Sequence, residues 1–154
     1  MFNIKHKNGF TLLELVLVVA IVAVLAAIIS GPLIRFRNSQ SLQNTTNAVV
    51  AVLSSARAKT LAGVNDSSYS ARLLSDRVVL YVGTTYDSAA ATNQITMFET
   101  PVTLGTVSLN GGGVDVKFAR LTGATTNHGT IILTLPDGQT RTITVTATGS
   151  VTRN

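Results

Sequence analysis

The sequence predicts an α+β fold, in which one long N-terminal helix precedes a set of antiparallel strands. Two observations lead to this prediction. An apolar block near the start of the chain runs into a segment with helical periodicity that reaches residue 62. After that point, short runs rich in apolar and β-branched residues alternate with turns rich in Gly, Asn, Asp and Pro. A helix followed only by strands is typical of a helix that lies on a sheet.

Residues 10–29 form the apolar block, and residues 15–29 are apolar without interruption. Twenty helical residues span about 30 Å, the thickness of the hydrocarbon core of a membrane. A short leader with Lys5 and Lys7 precedes the block, and a basic flank stays on the cytoplasmic side. The sequence therefore predicts a single-pass helix in the inner membrane, with the C-terminal part of the chain exported.

Glu14 is the one charged residue inside the apolar block. An ionised carboxylate deep in a bilayer costs roughly 2.5 to 3.5 kcal/mol or more unless it finds a partner. A cut between Gly9 and Phe10 would create a cationic amine on Phe10, one helical turn from Glu14. That pairing is strained within one chain, but Glu14 of one chain could meet the Phe10 amine of a neighbour that is stacked with an axial offset.

Residues 5–29 resemble the class III signal of type IV pilins and type II secretion pseudopilins. The resemblance rests on the basic leader, Gly9, Phe10, Glu14 as fifth residue of the mature chain, and the long apolar helix. It implies cleavage after Gly9 by a prepilin peptidase and N-methylation of Phe10. It also implies a structural filament subunit, which starts in membrane lipid and is assembled with other pilin subunits at an inner-membrane platform. The resulting filament would lie in the periplasm or at the cell surface.

Two other interpretations of the N-terminus stay open. An ordinary secretory signal would also start with basic residues, and Ala26-Ala27 offers small residues for its cleavage. A simple single-pass anchor would give a membrane-bound, exported binding domain that does not polymerise. The apolar run is longer than the usual 7 to 15 residues of a secretory signal. Neither interpretation explains Gly9-Phe10 together with Glu14.

A second, amphipathic half of the helix is expected after residue 30. Pro32 lacks a backbone donor and crowds the preceding turn, so a kink is expected there, and Gly63 is the expected stop. The expected divisions of the chain are a leader 1–9, a transmembrane half 10–30, an amphipathic half 31–62 and a β-rich head 63–154. The apolar stripe of the amphipathic half consists of Leu42, Thr46, Val49, Leu53, Ala56 and Thr60.

Strands are expected at residues 77–83 and 94–99, whereas residues 64–75 have the pattern of a loop or a weak strand. Residues 106–109 and 114–118, joined by a Gly-rich turn, have the pattern of a hairpin. Residues 130–135 and 140–146, joined by Pro-Asp-Gly, give the strongest hairpin signal, with one last short strand after them. This C-terminal pattern resembles the GspH/FimT type, a group that comprises the H-type minor pseudopilins of type II secretion and the FimT-type pilins. The resemblance implies two sheets.

The sequence gives little support for catalysis or for a bound cofactor. It contains no Cys, His6 lies in the leader, His128 lies in a predicted loop, and the acidic residues are too scattered for a metal site. We therefore expect neither an enzyme nor a cofactor. Some FimT-type pilins take part in DNA uptake, and that resemblance points to one possible patch for DNA phosphates, made of Lys117, Arg120, Arg141 and Arg153.

Overall fold

The computed structural model describes residues 10–154, apart from the side chains of residues 28–30. The expectations placed on the leader and on Gly9 therefore lie outside the described residues. The chain forms two compact units, one ending at Arg37 and one spanning Asn38–Asn154. The elements are α1 (Leu12–Leu61), a 3-10 turn (Val64–Asp66), β1 (Tyr69–Leu73), β2 (Arg77–Val82), β3 (Gln94–Met97), β4 (Thr103–Leu109), β5 (Asp115–Lys117), β6 (Gly129–Thr134), β7 (Thr140–Val145) and β8 (Val151–Arg153).

The first unit contains the N-terminal part of α1. Its large apolar side chains from Leu12 to Leu25 are all about half exposed or more, as in a helix that faces lipid or other helices. By length and composition α1 could cross a membrane, a property that a signal sequence near the N-terminus shares. The helix runs through Pro32, and the expected kink there stays a prediction.

The second unit contains two four-stranded antiparallel sheets, with strand orders β3-β2-β1-β5 and β4-β6-β7-β8. A single apolar core joins the helix to both sheets, with Leu53 from α1, Leu80 from the first sheet and Ile131 from the second. All six residues of the expected helical stripe are buried. The α+β expectation of a long helix packed on antiparallel sheets is therefore confirmed.

Buried threonines connect α1 to the strands. Thr60 Oγ1 accepts a hydrogen bond of 2.8 Å from the backbone N–H of Tyr69, at the start of β1. Thr45, which the stripe did not include, is also buried, and its Oγ1 accepts from the backbone N–H of Glu99 at 3.1 Å. Gly63 has φ of +62° and lies just after the end of α1, as expected for a left-handed stop residue.

The expected hairpin of residues 106–118 is wrong, although both of its strands exist. β4 pairs with β6 in the second sheet, whereas β5 pairs with β1 in the first. Gly111, Gly112 and Gly113 all have φ between +72° and +80°, and this turn carries the chain from one sheet to the other. Apolar alternation identifies strands but does not identify their partners, which explains the error.

The last three strands, all in the second sheet, were predicted correctly. β6 pairs with β7 across the Pro-Asp-Gly turn, and β7 pairs with β8, so the three strands form a meander. β1 is a full strand with four of its five residues buried, stronger than its sequence suggested. Tyr69, Ala71 and Leu73 alternate with the polar Ser70 and Arg72, a two-residue period that the sequence reading undervalued beside the turn residues before it.

Candidate functional site

The N-terminus of α1 holds the residues that the sequence singled out for assembly. Phe10 and Thr11 precede the helix, and Glu14 lies in its first turn. Thr11 is the cap: its Oγ1 accepts a hydrogen bond of 3.2 Å from the backbone N–H of Glu14, and its carbonyl accepts from Leu15 N–H at 3.1 Å. A Thr followed three residues later by Glu is the capping-box pattern, a signal that the sequence reading overlooked.

Two properties of this helix end bear on the expected pairing of Glu14 with Phe10. The first turn of a helix carries partial positive charge, which stabilises a carboxylate there. In the uncut chain the nitrogen of Phe10 is part of a peptide bond and carries no charge, so the proposed pairing needs cleavage first. Phe10 is 84% exposed and Glu14 is exposed as well. Both groups are therefore accessible to a neighbouring chain.

The four basic residues proposed for DNA contact do not form one patch. Arg141 and Arg153 lie on neighbouring strands of the second sheet and line one cavity of about 330 Å³ together with Gln43 and Thr46. The other two lie elsewhere. Lys117 is on β5 in the first sheet, and Arg120 donates to both the carbonyl and the carboxylate of Asp66.

Several titratable side chains of the second unit make structural contacts. The hydrogen bond from the Arg77 guanidinium lowers the pKa of the Asp76 carboxyl, and the same contact raises the pKa of Arg77. Burial, and then the charge of Asp115, raises the pKa of Tyr81 to about 12, so its hydroxyl is a poor acid or base at neutral pH. His128 is exposed in the loop before β6.

The candidate metal-ligating side chains are scattered over the described part of the chain. In residues 10–154, no three His, Asp or Glu side chains lie close enough together to hold a metal ion.

Comparison with known families gives one result. Residues 4–30 match the prokaryotic N-terminal methylation motif, the class III signal of type IV pilins. No curated protein and no solved structure matches the chain. The matched motif covers the positions of Gly9, Phe10 and Glu14 and ends before the second unit begins.

The motif and the fold agree with each other. Together they support a type IV pilin-like or pseudopilin subunit, with a pilin-like arrangement of one long helix and antiparallel sheets. The motif suggests a structural subunit rather than an enzyme, one that is processed by a prepilin peptidase and assembles with other pilin subunits. An N-terminal apolar helix also fits a membrane-anchored pilin.

Proposed function

We propose that the chain is a structural subunit, specifically a minor pilin or pseudopilin of the GspH/FimT type, in a type IV pilus or a type II secretion pseudopilus. The methylation motif at residues 4–30 is the observation that carries this proposal. The presence of two sheets after the helix supports the choice of subtype, since the resemblance implied two sheets.

The exposed apolar side chains of α1 must be covered both before and after assembly. Its side chains from Leu12 to Leu25 are exposed in the single chain, and fully burying one such side chain contributes about 1.5–3 kcal/mol relative to water. Lipid covers these side chains before assembly, and the helices of neighbouring subunits cover them afterwards. Because lipid and helix surfaces are similarly apolar, polar contacts and close packing decide between the two states.

Glu14 provides the polar contact in this mechanism. Cleavage after Gly9 frees the amine of Phe10, which N-methylation leaves cationic. The carboxylate of one subunit then pairs with the amine of the next and fixes the axial offset between them. Extraction of the helix from lipid is driven by the assembly ATPase of the inner-membrane platform.

Mass spectrometry of the N-terminus tests this proposal on mature protein isolated from its native membrane. We expect a chain that begins at N-methylated Phe10. A chain that begins after Ala26 would instead indicate an ordinary secretory signal. A chain that still carries Met1 would indicate a simple membrane anchor, and either result would refute the filament proposal.

DNA binding is a second candidate function, favoured by the convergence of Arg141 and Arg153 on one cavity. If both arginines contact phosphates, Ala at both positions should weaken DNA retention at low salt and reduce the slope of log affinity against log salt by about 2. Lys117→Ala, in the other sheet, is the matched control and should have little effect. Equal retention by the double variant and the wild type would eliminate this function.

A further inference from the structure

One side of α1 in the second unit carries an acidic group at a sheet edge. β3 is an edge strand of the first sheet, and Glu99 lies just beyond its end. The Glu99 carboxylate accepts from Asn44 Nδ2 at 3.2 and 3.4 Å, and its backbone N–H donates to Thr45 Oγ1. Within residues 10–154, no cation forms a salt bridge with this exposed carboxylate. On the same edge, Ile95 and Met97 are each 55% exposed, so this side of the helix is open to a partner.

The other side of α1 carries two arginines at the edge of the second sheet. Arg153 lies on the edge strand β8, and Arg141 lies on its neighbour β7. Both side chains line the cavity of about 330 Å³ to which Gln43 and Thr46 of the helix contribute. Both arginines are exposed, and neither forms a salt bridge among the described residues. Their positive charge is therefore available to an anion from outside the chain.

The carboxylate and the arginines lie at the same level of the helix. Gln43 and Thr46 contact the arginine side, whereas Asn44 and Thr45 contact the acidic side, so both sets fall within one helical turn. At about 100° per residue, the mean directions of these two pairs differ by about 180°. The chain therefore presents opposite charges at one height on opposite sides of α1.

We propose that these two sides bind each other between neighbouring copies of the chain, with Glu99 of one copy against Arg141 and Arg153 of the next. The contact rests on the membrane-anchored subunit proposed above, because copies anchored in one membrane by the same end of α1 present their helices in the same direction. Side-by-side copies then place a carboxylate opposite two guanidinium groups, whose planar donors suit it. The same approach brings β8 of the next copy beside the exposed Ile95 and Met97.

A second copy fits this charge pattern better than a free anion does. After one contact forms, each copy still has one acidic or one basic side free, so the contact is heterologous and extends through several subunits. A free anion or a DNA phosphate would satisfy the arginines but would leave Glu99 without a cation. DNA binding and the contact between copies would exclude each other, because both use the same arginines. Exposed ion pairs contribute little affinity, so this contact orients subunits that the membrane already concentrates.

Cross-linking of two differently tagged forms of the full chain tests the contact, in the membrane fraction of cells that make both. The chain has no Cys, so Met97→Cys in one form and Asn154→Cys in the other supply the only thiols. We expect a short bismaleimide to give mainly the mixed product, because the contact joins unlike sides. Leu121→Cys, at a 90% exposed position between β5 and β6, replaces Met97→Cys as the control for random collisions.

Charge variants separate ion pairing from mere proximity. Glu99→Gln keeps an oxygen for Asn44 but removes the charge, so the mixed product should fall by about threefold, as expected for an exposed ion pair. Asp87→Asn, at another exposed carboxylate, is the matched control and should leave the yield unchanged. Glu99→Arg should reduce the yield further, and Arg141→Glu with Arg153→Glu in the other form should restore it.

The possible outcomes distinguish this contact from the proposed function. A mixed product no greater than that of the Leu121→Cys control, or a yield that Glu99→Gln leaves unchanged, would overturn the contact and leave the proposed function standing. Products mainly between identical forms would indicate a symmetric contact and would overturn it as well. Absence of the chain from the membrane fraction would instead refute the membrane-anchored subunit, and this contact with it.

Discussion

Glu14→Ala is expected to give a subunit that is inserted and processed but nearly absent from filaments. In the proposed assembly, removal of the carboxylate would leave the cationic Phe10 amine of the next subunit buried without a counter-charge. Removing one partner of a buried ion pair costs about 3–5 kcal/mol, so incorporation should fall by about a hundredfold or more. The measurement is the amount of subunit in sheared filaments relative to the membrane fraction, together with the mass of the processed chain.

The Thr11 cap provides controls that separate two roles of Glu14. Glu14→Gln keeps a residue that suits the capping box but removes the charge, so it should fail to assemble as Glu14→Ala does. Thr11→Ala removes the hydroxyl that accepts the Glu14 N–H and costs about 1 kcal/mol of helix stability, yet it keeps the charge and should assemble. Normal incorporation of Glu14→Gln would assign Glu14 to capping alone and contradict the pairing mechanism.

Gly149→Ala should cause a large loss of stability in the second unit. Gly149 is buried between β7 and β8 with φ of +78°, and a Cβ there would collide with the carbonyl oxygen of Gly123 and lie 2.9 Å from Arg57 Nε. Arg57 donates from Nε to the Gly123 carbonyl and from its terminal nitrogen to the Thr148 carbonyl, both at 3.2 Å. The extra methyl group would therefore disturb two loops that Arg57 holds against α1.

The expected cost is about 2–5 kcal/mol, from about 1–2 kcal/mol for a left-handed alanine and about 1–3 kcal/mol for overpacking. Gly138→Ala is the matched control, because Gly138 has φ of +86° and a Cβ there would have no atom within 4 Å. Gly138→Ala should therefore cost only the about 1–2 kcal/mol that comes from the left-handed backbone of an alanine. Urea unfolding of the full chain in detergent, followed by tyrosine fluorescence, measures the loss of unfolding free energy in each variant. Equal losses would mean that the close approach at Gly149 contributes nothing.

The sequence by itself determined the features that depend on local pattern. Hydrophobic length and one internal charge identified the N-terminal segment, and helical periodicity identified all six residues of the buried stripe of α1. The Pro-Asp-Gly turn identified the β6–β7 hairpin. Each of these signals lies within a short stretch of chain, where the 3.6-residue or two-residue period and the turn chemistry are sufficient.

Only the tertiary structure decided the contacts between distant segments. It separated β4 and β5 into different sheets, joined Arg120 to Asp66, and brought Arg141 and Arg153 to one cavity while leaving Lys117 in another sheet. It also placed Lys59 and Asn93 on one cavity wall. Strand pairing and side-chain proximity follow from how the whole core packs, and a sequence pattern that repeats every two or four residues carries no information about them.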